Sequence, residues 1–410
     1  MQAMDEIGRR YLLLALRLGR HLPDLIEAYS GPAELAEAVA GEAPAPAEEL
    51  HLEALNLAAE AAELAGETEA DSRRRAWLAD QLAALGASAR PVAGEEIGYV
   101  DLVEELYGIA AEAEPEATFT SARHLLDDVL SPGGTLAERL AAHDRSVTLP
   151  AEAALRAVRR MSTALRQRTI RDVWLPEDES VEFVAAGEHP GGFSATYLGG
   201  LQSRIAITPG QPLGLGLLLH LASHEAYPGH HTERVTKEAL LVRERGLGEA
   251  MVACRFTPAE AISEGLALLG RGLVLSDQEL VGMLRWLVRD LHAPIPDATL
   301  ERQVMVARAR SQLARASANA ALMVWRDGVP SSEVRAWLAE SALMGEQQLE
   351  TQMRHLATVR GGTRAFRHMA GPRVTAEWLE LQGQTHGLAR LLAEQLTPGQ
   401  LRAEIGEVVG

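Results

Sequence analysis

The chain has 410 residues, a formal charge of −18, 4% aromatic residues and one cysteine, Cys254. That length is enough for a large core spread over two or three structural units. The acidic balance repels the phosphates of nucleic acids and anionic membranes, and a lone cysteine excludes an internal disulfide and suits a reducing cytosol. Abundant Ala, Leu, Arg and Glu favour helix over sheet. No basic-then-apolar leader is seen in MQAMDEIGRR. The apolar run Leu213–Ala222 is interrupted by His220 and two glycines, well short of the ~20 residues of a membrane span. The expectation is a soluble, cytoplasmic protein with neither nucleic acid nor membrane as a partner.

The N-terminal stretch reads as amphipathic helices. Apolar residues recur at three- and four-residue spacing from Tyr11 to Tyr29, and AEELHLEALNLAAEAAELAG and DSRRRAWLADQLAALG stop at Gly66 and Gly86. GEAPAPAEE is a linker into the second helix, VDLVEELYGIAAEA precedes Pro115, and SPGGTL at 131–136 is a break. AEAALRAVRRMSTALRQRT follows Pro150 as a further helix. SVEFVAAG, GGFSATYLGG and SRIAITPG then read as two or three strands, a hairpin or small sheet over about 180–210 and the one β region expected. Helices resume to the C-terminus. The expected fold class is mainly α, with an N-terminal helical region, 1–145, and a second helical region, 146–410, that carries the small sheet and the chemistry described next; one continuous domain is the alternative.

The chemistry concentrates in HLASHEAYPGHHTER, residues 220–234. A hydrolytic zinc site commonly has three protein ligands and one open position. His224 offers a ligand, and Glu225 beside it offers the general base that accepts a proton from zinc-bound water. The next turn of a regular helix holds Pro228, which cannot donate to the His224 carbonyl and clashes with it. Gly229 gives the backbone freedom to bulge, which would bring His230 back as second ligand. His231 is the alternative: it keeps helical phase with His224, but lies roughly 10 Å along the axis. Glu264, in TPAEAISEGLALLGRGL behind a Thr257–Pro258 helix start, is the candidate third ligand. His220 reads as a hydrogen-bonded core histidine, Cys254 as a core thiol, and Asp290–His292 as a helix end. There is no GxSxG elbow, Walker loop or dinucleotide fingerprint.

HEAYPGHH followed by SEGLAL resembles the HExxPGHH and EGxAL pair of the bacterial family catalogued as domain of unknown function 885, grouped with the HExxH-type, gluzincin-like zinc metallopeptidases. GGFSATYLGG, RIAITPG and the helical stretch from His124 to Thr169 also resemble its pattern. The resemblance implies a helical metallopeptidase fold with a small sheet at the active site. It implies one Zn2+ per chain on His224, His230 and Glu264, Glu225 as base, and a peptide or small amide substrate. By analogy with related peptidases, the strands would pair with an extended substrate, and Tyr197 or a neighbouring backbone N–H would face the oxyanion. Leu266 departs from a Trp common in the family. In FRHMAG, His368 stands as a replacement for a transition-state hydrogen-bond donor, against a plain reading as a solvated basic turn with Arg364, Arg367 and Arg373. Arg308 or Arg310 is a candidate for binding a substrate carboxylate. The rival readings are a zinc amidohydrolase acting on a non-peptide metabolite and a non-catalytic helical binding protein with a vestigial site.

Overall fold

A computed structural model describes residues 4–189 and 192–409. The molecule is mainly helical with small sheets, as composition and periodicity predict. The long N-terminal helices include Glu6–His21, Ala47–Ala62, Glu69–Ala89 and Glu116–Val129. Reciprocal side-chain caps open Glu69–Ala89, through Thr68 and Asp71, and Leu136–Ser146, through Thr135 and Glu138. Among the described residues, no helix is long and apolar enough to cross a membrane.

Several helix boundaries differ from the sequence reading, among them that of Tyr99–Tyr107, which stops at the left-handed Gly108 instead of running on toward Pro115. The first helix ends at His21, just before Pro23, and the rest of the expected helix becomes a strand. Gly86 does not stop its helix. Its missing side chain leaves room for His51 and Ala54 of the neighbouring helix, which would lie 3.3 and 3.4 Å from a Cβ there. Glycine at that position serves helix packing, not a helix end.

Among the described residues there are seven short strands: β1 (Ile26–Tyr29), β2 (Thr148–Leu149), β3 (Ser180–Ala185), β4 (Phe193–Gly199), β5 (Gln202–Ile207), β6 (Leu213–Gly214) and β7 (Val252–Cys254). The expected small sheet is three-stranded and mixed, with β5 central, parallel to β3 and antiparallel to β4. The β content is wider than the sequence suggests. β1 pairs with β7 and β2 with β6, each too short to show an alternating pattern.

Two apolar cores divide the interior. One draws on residues 7–140, 252–261 and 306–369, and the other on 147–239, 262–304 and 374–401. The helix Pro258–Val274 serves both, with Ala261 in the first core and Ile262, Leu266 and Val274 in the second. Glu264 therefore projects from an element held by packing on both sides, which restricts its motion.

Candidate metal centre

The helix Leu215–His220 runs into a π-helical turn, Leu221–Ala226, that ends at Tyr227. Such turns insert a residue into the helical ladder and re-aim side chains. The Tyr227–Pro228 peptide is cis, and a new helix starts at His230. Gly229 donates its N–H to the Ser223 carbonyl at 3.0 Å. A Cβ on Gly229 would lie 1.9 Å from the His224 carbonyl oxygen, so any larger residue would force the two segments apart. The bulge expected from Pro228–Gly229 is present and returns His230 to His224, with ring centroids 4.7 Å apart and the rings perpendicular.

Glu264 completes the group. Thr257 caps its helix and Pro258 opens it. His224 Nε2 lies 3.6 Å from Glu264 Oε2, and His230 Nε2 lies 3.9 Å from Oε1. One donor atom from each of the three residues falls within a 4.8 Å span, and all three side chains are buried. Glu264 Oε2 and His224 Nδ1 are buried without a hydrogen-bond partner. Unmet polar atoms of this kind are rare in folded interiors and point to a missing ligand. Burial pushes the His224 imidazole well below its usual range, aided by His220 and His230. Burial would raise the Glu264 carboxyl, but the charges of His368 and Arg367 hold it well below normal. Neutral imidazole and ionised carboxylate are the states a divalent cation requires. The donor set, its size and its unmet atoms fit a zinc ion.

A polar relay orients His230. Its Nδ1 lies 3.0 Å from Ser263 Oγ, the Ser263 hydroxyl donates to Glu233, and Lys237 donates to Glu233 at 2.5 Å. Ser263 Oγ thus accepts from Nδ1–H, leaving the Nε2 lone pair aimed at Glu264. Glu233 is one helical turn after His230 and Ser263 directly precedes Glu264, yet the sequence reading passed over both.

Glu225 lies beside this group, with Oε1 4.0 Å from His224 Nε2 and 3.4 Å from His220 Nε2. Burial would raise its carboxyl, but contact with His220 and the nearby imidazoles hold it at about 2. His220 is not the core histidine expected. Its side chain is 37% exposed, stacks on His224 at 4.3 Å, and meets Phe193 of β4 edge-on. It closes one shoulder of the centre.

Other site expectations are redirected. His231 faces away from the cluster: its Nε2 meets Glu179 Oε2 and its Nδ1 meets Ser203 Oγ, both at 2.8 Å, so it is a buried structural residue. The Tyr197 hydroxyl donates to Glu238 Oε2 at 2.6 Å, directed at a residue two helical turns beyond His230 and not at the cluster. Arg308 and Arg310 are spent on Asp277 and Asp144. His368 does reach the centre. Its Nε2 is 3.2 Å from Glu264 Oε2, too poorly aligned for a hydrogen bond, with the side chain 48% exposed. FRHMAG is therefore no solvated turn, since Phe366 and Arg367 are buried and Arg367 pairs with Glu260. Cys254 is buried as expected, and Asp290 and His292 lie at a helix end. A cavity of about 100 Å³ behind His230, lined by Tyr11, Glu27, Tyr197, Glu233 and Ser263 among others, touches the orienting relay but not His224, Glu225 or Glu264.

No family model and no curated protein matches the chain. Solved structures match its fold. One, from Shewanella oneidensis and provisionally described as a lipoprotein of unknown function, shares 13% identity at a TM-score of 0.51, over 90% of this chain and 76% of its own. Another, provisionally described as a lipoprotein from Colwellia psychrerythraea, shares 15% identity at a TM-score of 0.52, over 92% and 69%. Likeness at these identities establishes shared architecture and leaves chemistry to the site itself.

Proposed function

We propose that the chain is a zinc-dependent hydrolase of metallopeptidase type, with His224, His230 and Glu264 holding the ion and Glu225 acting as general base. The observation that carries this reading is the convergence of three buried donors within 4.8 Å, one carboxylate oxygen unpartnered, beside a fourth acidic group that is not needed as a ligand. When bound, zinc in such a set polarises a carbonyl and lowers the pKa of water toward ~7. Glu225 takes the proton released on attack and passes it to the leaving nitrogen. His368, half-exposed against Glu264, is placed to donate a hydrogen bond to the developing oxyanion in the role first assigned to Tyr197.

The substrate is a peptide or related amide. Among the described residues β4 pairs with β5 alone and so is an edge strand, and Phe193 at its start touches His220. An extended backbone laid along that edge gains main-chain hydrogen bonds and passes the catalytic centre. The test is metal analysis with a peptide-library assay on wild type, His224→Ala and Glu225→Gln. About one zinc per chain, lost in the first variant and kept in the second, with cleavage only by wild type, is the expected result. Wild-type protein that takes up no zinc at neutral pH overturns the reading.

A further inference from the structure

The helix Val359–Arg367 and its cap bring four cations toward Phe256 and the metal centre: Arg360, Arg364, Arg367 and His368. Three have partners. Arg360 pairs with Asp24, Arg367 with Glu260, and His368 lies against Glu264. Arg364 has no ion pair or hydrogen bond among the described residues, and its guanidinium sits 5.7 Å from the centre of the Phe256 ring. Arg255 is also under-used, with Nε buried and unpartnered and its one carboxylate, Glu27, at 3.7 Å. Glu260, the nearest acid to act on Arg364, is already taken by Arg367 and the Phe256 backbone N–H.

A partly buried cation among other cations is costly. Burial, Arg367 and Arg255 all push Arg364 below its usual range. This chain has 57 acidic residues against 39 basic ones, yet spends none of them on Arg364. Arg364 is four residues before His368, hence on the same helical face, and the half-exposed His368 side chain lies 3.2 Å from Glu264. The geometry points to Arg364, flanked by Arg255, as the anchor for a substrate carboxylate. The substrate class becomes short peptides with a free C-terminal carboxylate, which the guanidinium fork grips in bidentate fashion. This rests on the hydrolase reading, because the anchor is defined by its place beside that centre.

The experiment compares acetyl-alanyl-alanyl-phenylalanine with its C-terminal amide on zinc-loaded protein, by hydrolysis and by titration calorimetry. Wild type is expected to favour the acid by about 30-fold in kcat/KM, the scale of a charge-assisted hydrogen-bond pair. Arg364→Ala and Arg364→Gln should cut that preference to about threefold, through KM with kcat kept. Arg364→Lys, which keeps charge without the fork, should retain part of it and guards against a folding defect in the other two. Equal hydrolysis of acid and amide by wild type, or an undiminished preference in Arg364→Ala, overturns the anchor and leaves the hydrolase standing. Selective binding of the acid through Arg364 with no hydrolysis keeps the anchor and removes the hydrolase. Neither hydrolysis nor selective binding removes both.

Discussion

Two buried histidine–carboxylate clusters begin at adjacent residues, His230 and His231, and differ in how fully they are satisfied. Around His231, Glu179 receives Tyr227 at 2.5 Å, Arg166 at 2.5 Å and the imidazole at 2.8 Å, and Ser203 takes the other ring nitrogen. Around His230, the relay through Ser263 and Glu233 is complete, but Glu264 Oε2, which faces His224 Nε2, and the other ring nitrogen of His224, Nδ1, have no hydrogen-bond partner. A closed network of this kind fixes a core. One with buried polar atoms left open is instead a candidate for holding a further ligand.

Breaking the open cluster should have the larger catalytic effect. Glu225→Gln is expected to lower kcat by about 10²–10⁴ while zinc content by mass spectrometry stays at one per chain. Retained activity would remove Glu225 from the role of base. Breaking the closed cluster should instead cost stability. His231→Ala takes a hydrogen-bond partner from both Glu179 and Ser203 and leaves a void in the core, and should lose about 3 kcal/mol in denaturant titration, with zinc per folded chain unchanged. His224→Ala, measured without metal, should cost less, because it also removes an unpaired nitrogen. Reversal of that order would make the two clusters equivalent and undo the distinction.

A smaller effect sharpens the comparison within the open cluster. Ser263→Ala cuts the link between His230 and Glu233 and should weaken zinc binding by about 10–100-fold in chelator competition, with stoichiometry unchanged. The smallest effect concerns pH. Burial opposes ionisation of both His231 and Glu179; it lowers the imidazole, while His231, Tyr227 and Arg166 bring the Glu179 carboxyl below normal. Both folded-state values are depressed, so both contributions are fully present at neutral pH. They are lost as pH falls, from near 6.5 for the histidine and near 4.5 for the glutamate. Metal-free wild type should lose stability across that interval, and His231→Asn should flatten its upper part. A parallel pH profile in that variant would assign the acid sensitivity elsewhere.

Much of this was legible in the chain. Three- and four-residue apolar spacing marked the N-terminal helices, and Gly- and Pro-bounded β-prone runs marked the three-stranded sheet. HEAYPGHH and SEGLAL named the three metal-site candidates and Glu225, because a metal site draws on few residue types at narrow spacing. Reading failed where the deciding neighbour is far along the chain. β1 finds its partner 228 residues later, from Ile26 to Cys254, and four residues are too few to announce a strand. Gly86 looked like a helix stop because its reason for being glycine is His51 on another helix. His220 looked like a core residue because nothing local reports Phe193 or the half-exposed shoulder they form.

By itself, then, the sequence determined the helical class, the interrupted helix at Pro228–Gly229 and the set of side chains able to hold a metal, since all of these depend on local covalent geometry and residue chemistry. Only the tertiary structure set His230 beside His224 and Glu264 and turned His231 to Glu179, sent Tyr197 to Glu238, brought Ser263 to His230, and Arg367 and His368 to Glu264, and left Arg364 without a counter-ion among the described residues. Those outcomes depend on which distant carboxylate or hydroxyl is packed against each side chain, and hydrogen bonds and ion pairs reward that proximity in space whatever the separation along the chain.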